Sequence, residues 1–155
     1  ALCMREYLPK SSHITTIEKV EMRLKEARKN LERLDEDDRI TLLEGDAIEV
    51  LKELLIKEKS YDFIFMDAAK GQYLNFLPDV IALMADDAML VSDNIFHDGD
   101  VLESRYAVLR RDRTIHGRMR EYLQVLCEKE ELETICLPIA DGMTISTKKG
   151  NGKGE

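Results

Sequence analysis

A chain of 155 residues, 44% hydrophobic and 35% charged, is long enough for one cored domain and has the composition of an ordinary water-soluble protein. Its formal charge of −8 excludes a protein that coats nucleic acid over its whole surface. No apolar run approaches the roughly eighteen residues of a membrane span, and no signal-peptide pattern opens the chain. Cys3, Cys127 and Cys136 are odd in number and lack metal-type or redox spacing, which suits free thiols in a reducing cytosol.

Short β-branched runs alternate with longer amphipathic ones, predicting an α/β domain with a largely parallel sheet. Ala1-Leu2-Cys3-Met4 reads as the middle of a helix. His13–Ile17 is a predicted strand, and Lys19–Leu34 a helix with Val20, Leu24, Ala27, Leu31 and Leu34 on one face. Ile40–Leu43 is the second strand. Asp46 is placed to cap the helix Ala47–Lys57. Tyr61–Met66 is a third, central strand, followed by a helix from Tyr73 to Met84 that Pro78 is expected to kink or divide. Ala88–Ser92 is the fourth strand, and an Arg-rich stretch leads into a helix over Arg113–Lys129. Glu133–Ile139 and Met143–Thr147 form an antiparallel hairpin across Ala140-Asp141-Gly142. Residues 1–149 read as one domain, and the Gly-rich stretch 150–155 as a disordered tail.

The chemistry lies just past the end of each strand, because ligands of open parallel sheets bind outside the carboxyl ends of the strands. The four predicted strands lead to Glu18, Asp46, Asp67 and Asp93-Asn94. A single Asp after a strand is usually a turn former or helix cap, but four acidic tips in succession point to a site. Glu18 is placed to accept hydrogen bonds from both hydroxyls of a ribose. Asp46-Ala47 suits the edge of an adenine, with a plain N-cap as the equal alternative. Asp67, Asp93 and Asn94 make an all-oxygen set that suits a hard cation such as Mg²⁺, and without His or Cys it does not suit zinc. Lys70 is the only cation in the segment MDAAKGQY and is placed to accept a substrate proton; an exposed lysine at a helix start is the plainer reading.

In this order, the segments TTIE, EGDA, FIFMDAAKGQY, VSDN and LPIADGMTIS resemble the cation-dependent O-methyltransferases, a family that includes caffeoyl-CoA and catechol O-methyltransferases. DAAKGQY and the LPIADGMTIS hairpin look most like the bacterial branch that includes the tRNA 5-hydroxyuridine methyltransferase. The resemblance covers Ala1 to Lys149 and implies a Rossmann-like methyltransferase fold, a seven-stranded sheet whose last strand is antiparallel. It implies S-adenosylmethionine as cofactor with Mg²⁺, Mn²⁺ or Ca²⁺, metal ligands Asp67, Asp93 and Asn94, and Lys70 assisting deprotonation beside Asp67. It places Glu18, Asp46, Ala47, Asp67 and Tyr73 around the cofactor. Relatives are often homodimeric, which makes a cytoplasmic homodimer the expectation. Two features depart from the family. Ala69 stands where plant members carry an acidic residue, and the strand with the Gly-rich turn that precedes the Leu2–Leu8 helix is missing. That strand would lie between the His13–Ile17 and Tyr61–Met66 strands, so the expectation is a protein longer by about 60 residues.

Two acceptors offer vicinal oxygens that can share one cation: a catechol, and 5-hydroxyuridine at the tRNA wobble position. Residues 102–120 contain Arg105, Arg110, Arg111, Arg113, Arg118 and Arg120 against Glu103 and Asp112, a local charge of +4 in an acidic chain. Concentrated arginine suits phosphate, and a wobble base is already unpaired, so the tRNA anticodon loop is the expected partner and a small catechol the alternative. A solvated Arg-rich helix or a dimer surface would also account for the charge. A nicotinamide-dependent oxidoreductase using Glu18, or a non-catalytic subunit, are readings of another class.

Overall fold

The computed structural model describes residues 1–35, 37–96, 99–104, 106 and 108–150. They divide into two units, Ala1–Leu54 and Leu55–Glu155.

In the first unit, helix α1 (Leu2–Tyr7) precedes β1 (Ile14–Glu18), α2 (Glu21–Leu34), β2 (Ile40–Glu44) and α3 (Ala47–Ile56). The β-branched runs ITTI and IT favour extended backbone. β1 and β2 pair in parallel, from Ile14 opposite Ile40 to Glu18 opposite Glu44. A parallel pair needs a crossover, and α2 supplies it. The approach to β1 is held by Arg39, whose guanidinium donates to the carbonyls of Ser12 at 3.1 Å and Pro9 at 2.6 Å. Arg5 Nε and Asp35 Oδ1 form a buried ion pair at 2.8 Å that ties α1 to the end of α2, and Asp35 Oδ2 accepts from Ile40 N at 2.8 Å where β2 begins.

The second unit is a mixed four-stranded sheet in the order β3-β4-β6-β5, made of β3 (Tyr61–Met66), β4 (Met84–Asp93), β5 (Leu132–Leu137) and β6 (Met143–Lys148). β3 and β4 run parallel, with Ile64 opposite Leu90 and Met66 opposite Ser92, and β6 runs antiparallel to both β4 and β5. Helix α4 (Tyr73–Leu83) makes the crossover from β3 to β4, and α5 (Arg113–Glu128) returns the chain to β5. On one sheet face Leu90, Ser92, Thr144 and Ser146 are fully buried. The apolar sides of α4 (Tyr73, Phe76, Leu77, Val80, Ile81) and α5 (Met119, Tyr122, Leu126) are buried with them. The small hydroxyls of that layer are paired: Ser92 Oγ with Tyr122 Oη at 2.6 Å and Ser146 Oγ with Thr134 Oγ1 at 2.9 Å. Lys148 Nζ reaches from the end of β6 to the carboxyl end of α4 and the first residue of β4, donating to Ile81 O at 3.0 Å and Met84 O at 2.8 Å, where a cation also complements the helix dipole.

Three sequence expectations need correction. Pro78 does not divide α4, which runs unbroken from Tyr73 to Leu83. The proline removes one donor in the helix interior, and the buried flank of Phe76, Leu77, Val80 and Ile81 holds the helix across it. β4 starts at Met84 rather than Ala88, because Met84 already pairs with Tyr61 before a register shift between Tyr61 and Phe63. β5 closes at Leu137, two residues before Ile139. Residues 151–155 of the expected tail lie outside the described residues. Among the described residues no helix is long and apolar enough to cross a membrane.

The β5–β6 turn presses on the segment after β4. Ile95 N donates to Gly142 O at 3.0 Å and Phe96 N to Asp141 O at 2.9 Å. Gly142 has a φ of +75°, and a Cβ there would overlap the Phe96 ring. Gly142→Ala is therefore expected to destabilise the protein by about 2–4 kcal/mol, from left-handed strain plus overpacking. An unchanged urea midpoint would contradict this close approach.

Candidate active site at the strand tips

β3 and β4 end side by side. Since Met66 lies opposite Ser92, the next residues, Asp67 and Asp93, emerge at neighbouring strand tips. The fastening is Tyr73, the first residue of α4, which is wholly buried. Its hydroxyl donates toward Asp93 O at 2.9 Å, with Met66 O at 3.2 Å as second acceptor, and it accepts from Ala68 N at 3.4 Å. One phenol thus joins the last backbone groups of both strands.

Lys70 opens the 3₁₀ turn Lys70–Gln72 that enters α4. Its Nζ donates to Asp93 O at 3.4 Å and lies 5.4 Å from the centre of the Tyr73 ring, within cation–π range. Beneath it, Tyr73 and Tyr122 meet edge to face with centroids 5.2 Å apart. Arg118 of α5 donates to Gly71 O and so pins the carbonyl next to Lys70. The structure gives Arg118 this positioning contact, which links two segments 47 residues apart and has no local signature in the sequence.

Asp93 Oδ1 accepts from Asn94 N at 2.7 Å. Asn94 has a φ of +51°, a left-handed conformation that asparagine tolerates and a β-branched residue would not. Asp67 is exposed and makes no hydrogen bond or ion pair among the described residues. Two carboxylates with an amide at adjacent tips, neither carboxylate in an ion pair among the described residues, is a donor set suited to a hard divalent cation. No cluster of three or more His, Cys, Asp or Glu exists among the described residues, so a cation here would rely on these two carboxylates and the amide.

In the first unit, Glu18 ends β1 and folds back on the adjoining turn. Its Oε1 accepts from Lys19 N and Val20 N, both at 2.8 Å, while Oε2 lies 3.8 Å from Arg23. The Val20 hydrogen bond chiefly, with those of Lys19 and Arg23, holds its carboxyl below the usual range. Glu18 is thus a fixed anion whose Oε2, facing Arg23, is not used by its own turn. Asp46 caps α3, its Oδ1 accepting from Ile48 N at 3.0 Å, and its Oδ2 takes Lys19 Nζ at 3.1 Å. The capping bond is the main reason its carboxyl is held low. Ala47 is the first residue of α3 and is half-buried.

Two of the six arginines brace the segment before α5, and a third holds the turn that enters α4. Arg113 donates to Val108 O at 3.2 Å, Arg120 to Val101 O at 3.4 Å and Glu103 O at 3.3 Å, and Arg118 to Gly71 O. Arg110 and Arg111 are exposed, Arg111 pairing with Asp112 at 3.2 Å. Arg105 lies outside the described residues. An open hollow of about 780 Å³ is lined by Tyr106, Arg113, His116, Arg118 and Arg120, among others.

Burial above all, with the charges of Asp67 and Asp93 adding to it, pushes the Tyr73 hydroxyl up to about 12 from 10.0. The unfolded chain therefore loses this proton first, and stability should fall as pH rises from about 10 to about 12. Tyr73→Phe is expected to lower stability near neutral pH by about 1–2 kcal/mol and to flatten the alkaline decline. Denaturation at several pH values checks both, and an equal alkaline slope in the variant would contradict the assignment.

The O-methyltransferase family model matches residues 1–149. Caffeoyl-CoA O-methyltransferase of Medicago sativa is 36% identical over 113 residues, 70% of this chain and 46% of its own length. Tapetum-specific methyltransferase 1 of Arabidopsis thaliana is 27% identical over 139 residues, 89% of this chain and 60% of its own. The O-methyltransferase of Bacillus cereus, solved in complex with SAH, superposes with a TM-score of 0.84 at 21% identity, over 96% of this chain and 68% of that one, a likeness of fold. The chain spans about half the length of the Medicago relative. With a parallel strand pair in its first unit and, in its second, a parallel pair extended by an antiparallel hairpin, it has the Rossmann-like methyltransferase fold and belongs to the O-methyltransferase family.

Proposed function

We propose that this chain carries the catalytic residues of an S-adenosylmethionine- and divalent-cation-dependent O-methyltransferase. The observation that carries the reading is the pair of carboxylates, Asp67 and Asp93, at adjacent strand tips, without an ion pair among the described residues and with Lys70 Nζ held on the backbone carbonyl of Asp93. The family match supports the reaction class.

When bound, S-adenosylmethionine would supply an electrophilic methyl group, and a cation such as Mg²⁺, Mn²⁺ or Ca²⁺ would supply Lewis-acid polarisation of a vicinal oxygen pair. Asp67, Asp93 and Asn94 are the residues to hold the cation. Glu18, through the oxygen its own turn does not use, suits the ribose, and Asp46-Ala47 the adenine. Tyr73 keeps the strand tips in register for Asp67 beside the methionine end. Lys70 Nζ is placed to take the acceptor's hydroxyl proton or, as an ammonium, to steady the oxyanion that remains.

For the acceptor, the reading is 5-hydroxyuridine at the tRNA wobble position. Its support is the Arg-lined hollow beside α5, with Tyr106 89% exposed as a surface on which an unpaired base can stack. Arg110, Arg111 and the donors that Arg113, Arg118 and Arg120 have to spare are the phosphate contacts. A small phenolic or catechol acceptor is the second reading, favoured by the 36% identity to a caffeoyl-CoA O-methyltransferase. Action in the cytosol as a homodimer belongs to the same proposal.

Asp67→Asn and Asp93→Asn should each abolish chelator-sensitive methyl transfer, and Lys70→Met should slow it on the order of 10²-fold. Labelled-methyl transfer to tRNA with an unmodified wobble 5-hydroxyuridine, compared with caffeoyl-CoA and simple catechols, assigns the acceptor. The tRNA reading requires salt-sensitive transfer to the RNA that weakens in Arg110→Ala/Arg111→Ala. Transfer to the phenols alone would overturn it and leave the reaction class standing.

A further inference from the structure

Helix α5 begins without an acid to close its start. Asp112, at the N-cap, makes no side-chain capping bond, and its carboxylate pairs with Arg111 at 3.2 Å. The first turn holds no acidic residue and opens instead with Arg113. The first backbone N–H groups of a helix have no partner inside it and carry partial positive charge, so a cation there is unfavourable until an anion joins it. The open hollow of about 780 Å³ lies at this helix start, lined by Arg113, Thr114, Arg118 and Arg120. Glu121 is the only acid of its wall among the described residues. The bonds that fix the three guanidiniums go to the backbone carbonyls of Val108, Gly71, Val101 and Glu103, which anchor the side chains without balancing their charge. His116, 2% exposed, also lines the hollow. Its Nε2 lies 3.1 Å from Glu103 O, which can only accept, so Nε2 carries the ring proton of the neutral imidazole. Its Nδ1 is buried and has no partner among the described residues. Buried polar atoms are rarely left so, and each exception calls for a cause beyond packing.

We propose that this hollow is a phosphate site, which seats one phosphate group of the methyl acceptor and couples it to the Lys70 turn through Arg118. The proposal rests on reading these arginines as phosphate contacts, and not on the acceptor being tRNA. A phosphate offers several acceptor oxygens at once, to the spare donors of the three arginines and to the open N–H groups at the start of α5. Its negative charge is what that helix start and those guanidiniums lack. Arg118 serves both places, because it lines the hollow and also donates to Gly71 O, beside Lys70. A guanidinium is a rigid planar fork, so a phosphate on its remaining donors fixes the whole group. The Gly71 carbonyl is then held more firmly, and with it the turn that brings Lys70 Nζ to Asp93 O at 3.4 Å. An acceptor that carries a phosphate thereby orders the lysine that meets its hydroxyl.

The test is an NMR titration of the nitrogen-labelled whole chain with inorganic phosphate, using sodium chloride at matched ionic strength as control. Saturable shifts of the Thr114, Ile115 and Gly71 amide signals are expected with phosphate and not with chloride. Arg113→Ala and Arg120→Ala should each weaken phosphate binding about 10-fold, the loss of one charge-assisted contact. Lys129→Ala, at the far end of α5, should leave it unchanged. Two competitors then identify the source of the phosphate: a single-stranded RNA with internal phosphodiesters only, and uridine 5′-monophosphate. Displacement of phosphate by the RNA assigns the site to a polynucleotide backbone. Displacement by the mononucleotide alone assigns it to a small phosphorylated acceptor, which keeps the site and sinks the tRNA reading. The proposal itself is overturned by shifts that chloride reproduces, by no saturable shift, or by a Gly71 signal that stays in place. Unchanged affinity in both arginine variants, or displacement by neither competitor, overturns it equally.

Discussion

The site depends on one buried hydroxyl. Two parallel strands end together at Met66 and Ser92, and although Asp93 still pairs with Met143 of β6, the β3–β4 ladder does not hold the two tips to each other past that point. Tyr73 supplies the constraint, its phenol lying between Met66 O and Asp93 O while it also receives Ala68 N. Because that oxygen is wholly buried, losing the contact would leave strand-end carbonyls short of a donor in a place water does not readily fill. The carboxylates of Asp67 and Asp93 sit just further out and inherit the order of the backbone behind them.

The support continues outward in layers. Tyr122 backs the Tyr73 ring edge-on and uses its own hydroxyl on Ser92, so the β4 tip is held from below as well as from the side. Arg118 fixes the turn that carries Lys70, and the Gly142 turn holds the backbone of Ile95 and Phe96 and lies close against the Phe96 ring. The same packing explains why α4 continues through Pro78. The helix is held mainly by its buried face, and one missing backbone donor is a small loss beside that.

Much of this was legible in the sequence, because it is local. Short β-branched runs mark the strands, the Leu24 to Leu34 spacing marks α2, and Ala140-Asp141-Gly142 marks the hairpin. The acidic strand tips were equally visible, since each comes directly after a strand. Less legible were the contacts that join distant segments. Tyr73 reads as an ordinary helix residue near a cofactor site, and only the parallel register of β3 and β4 makes its hydroxyl a bridge. The arginines of residues 102–120 read as a charge patch, yet three of them spend donors on backbone carbonyls of their own unit.

The central claim is that Asp67, Asp93 and Asn94 form one cation site. The most direct measurement is a crystal soaked in Mn²⁺ and recorded at a wavelength where manganese scatters anomalously. A shared site predicts a single strong anomalous peak within about 2.1–2.3 Å of oxygens from all three side chains, absent in Asp93→Asn crystals. A peak elsewhere, or side chains of Asp67 and Asp93 directed apart with no ion between them, would contradict it.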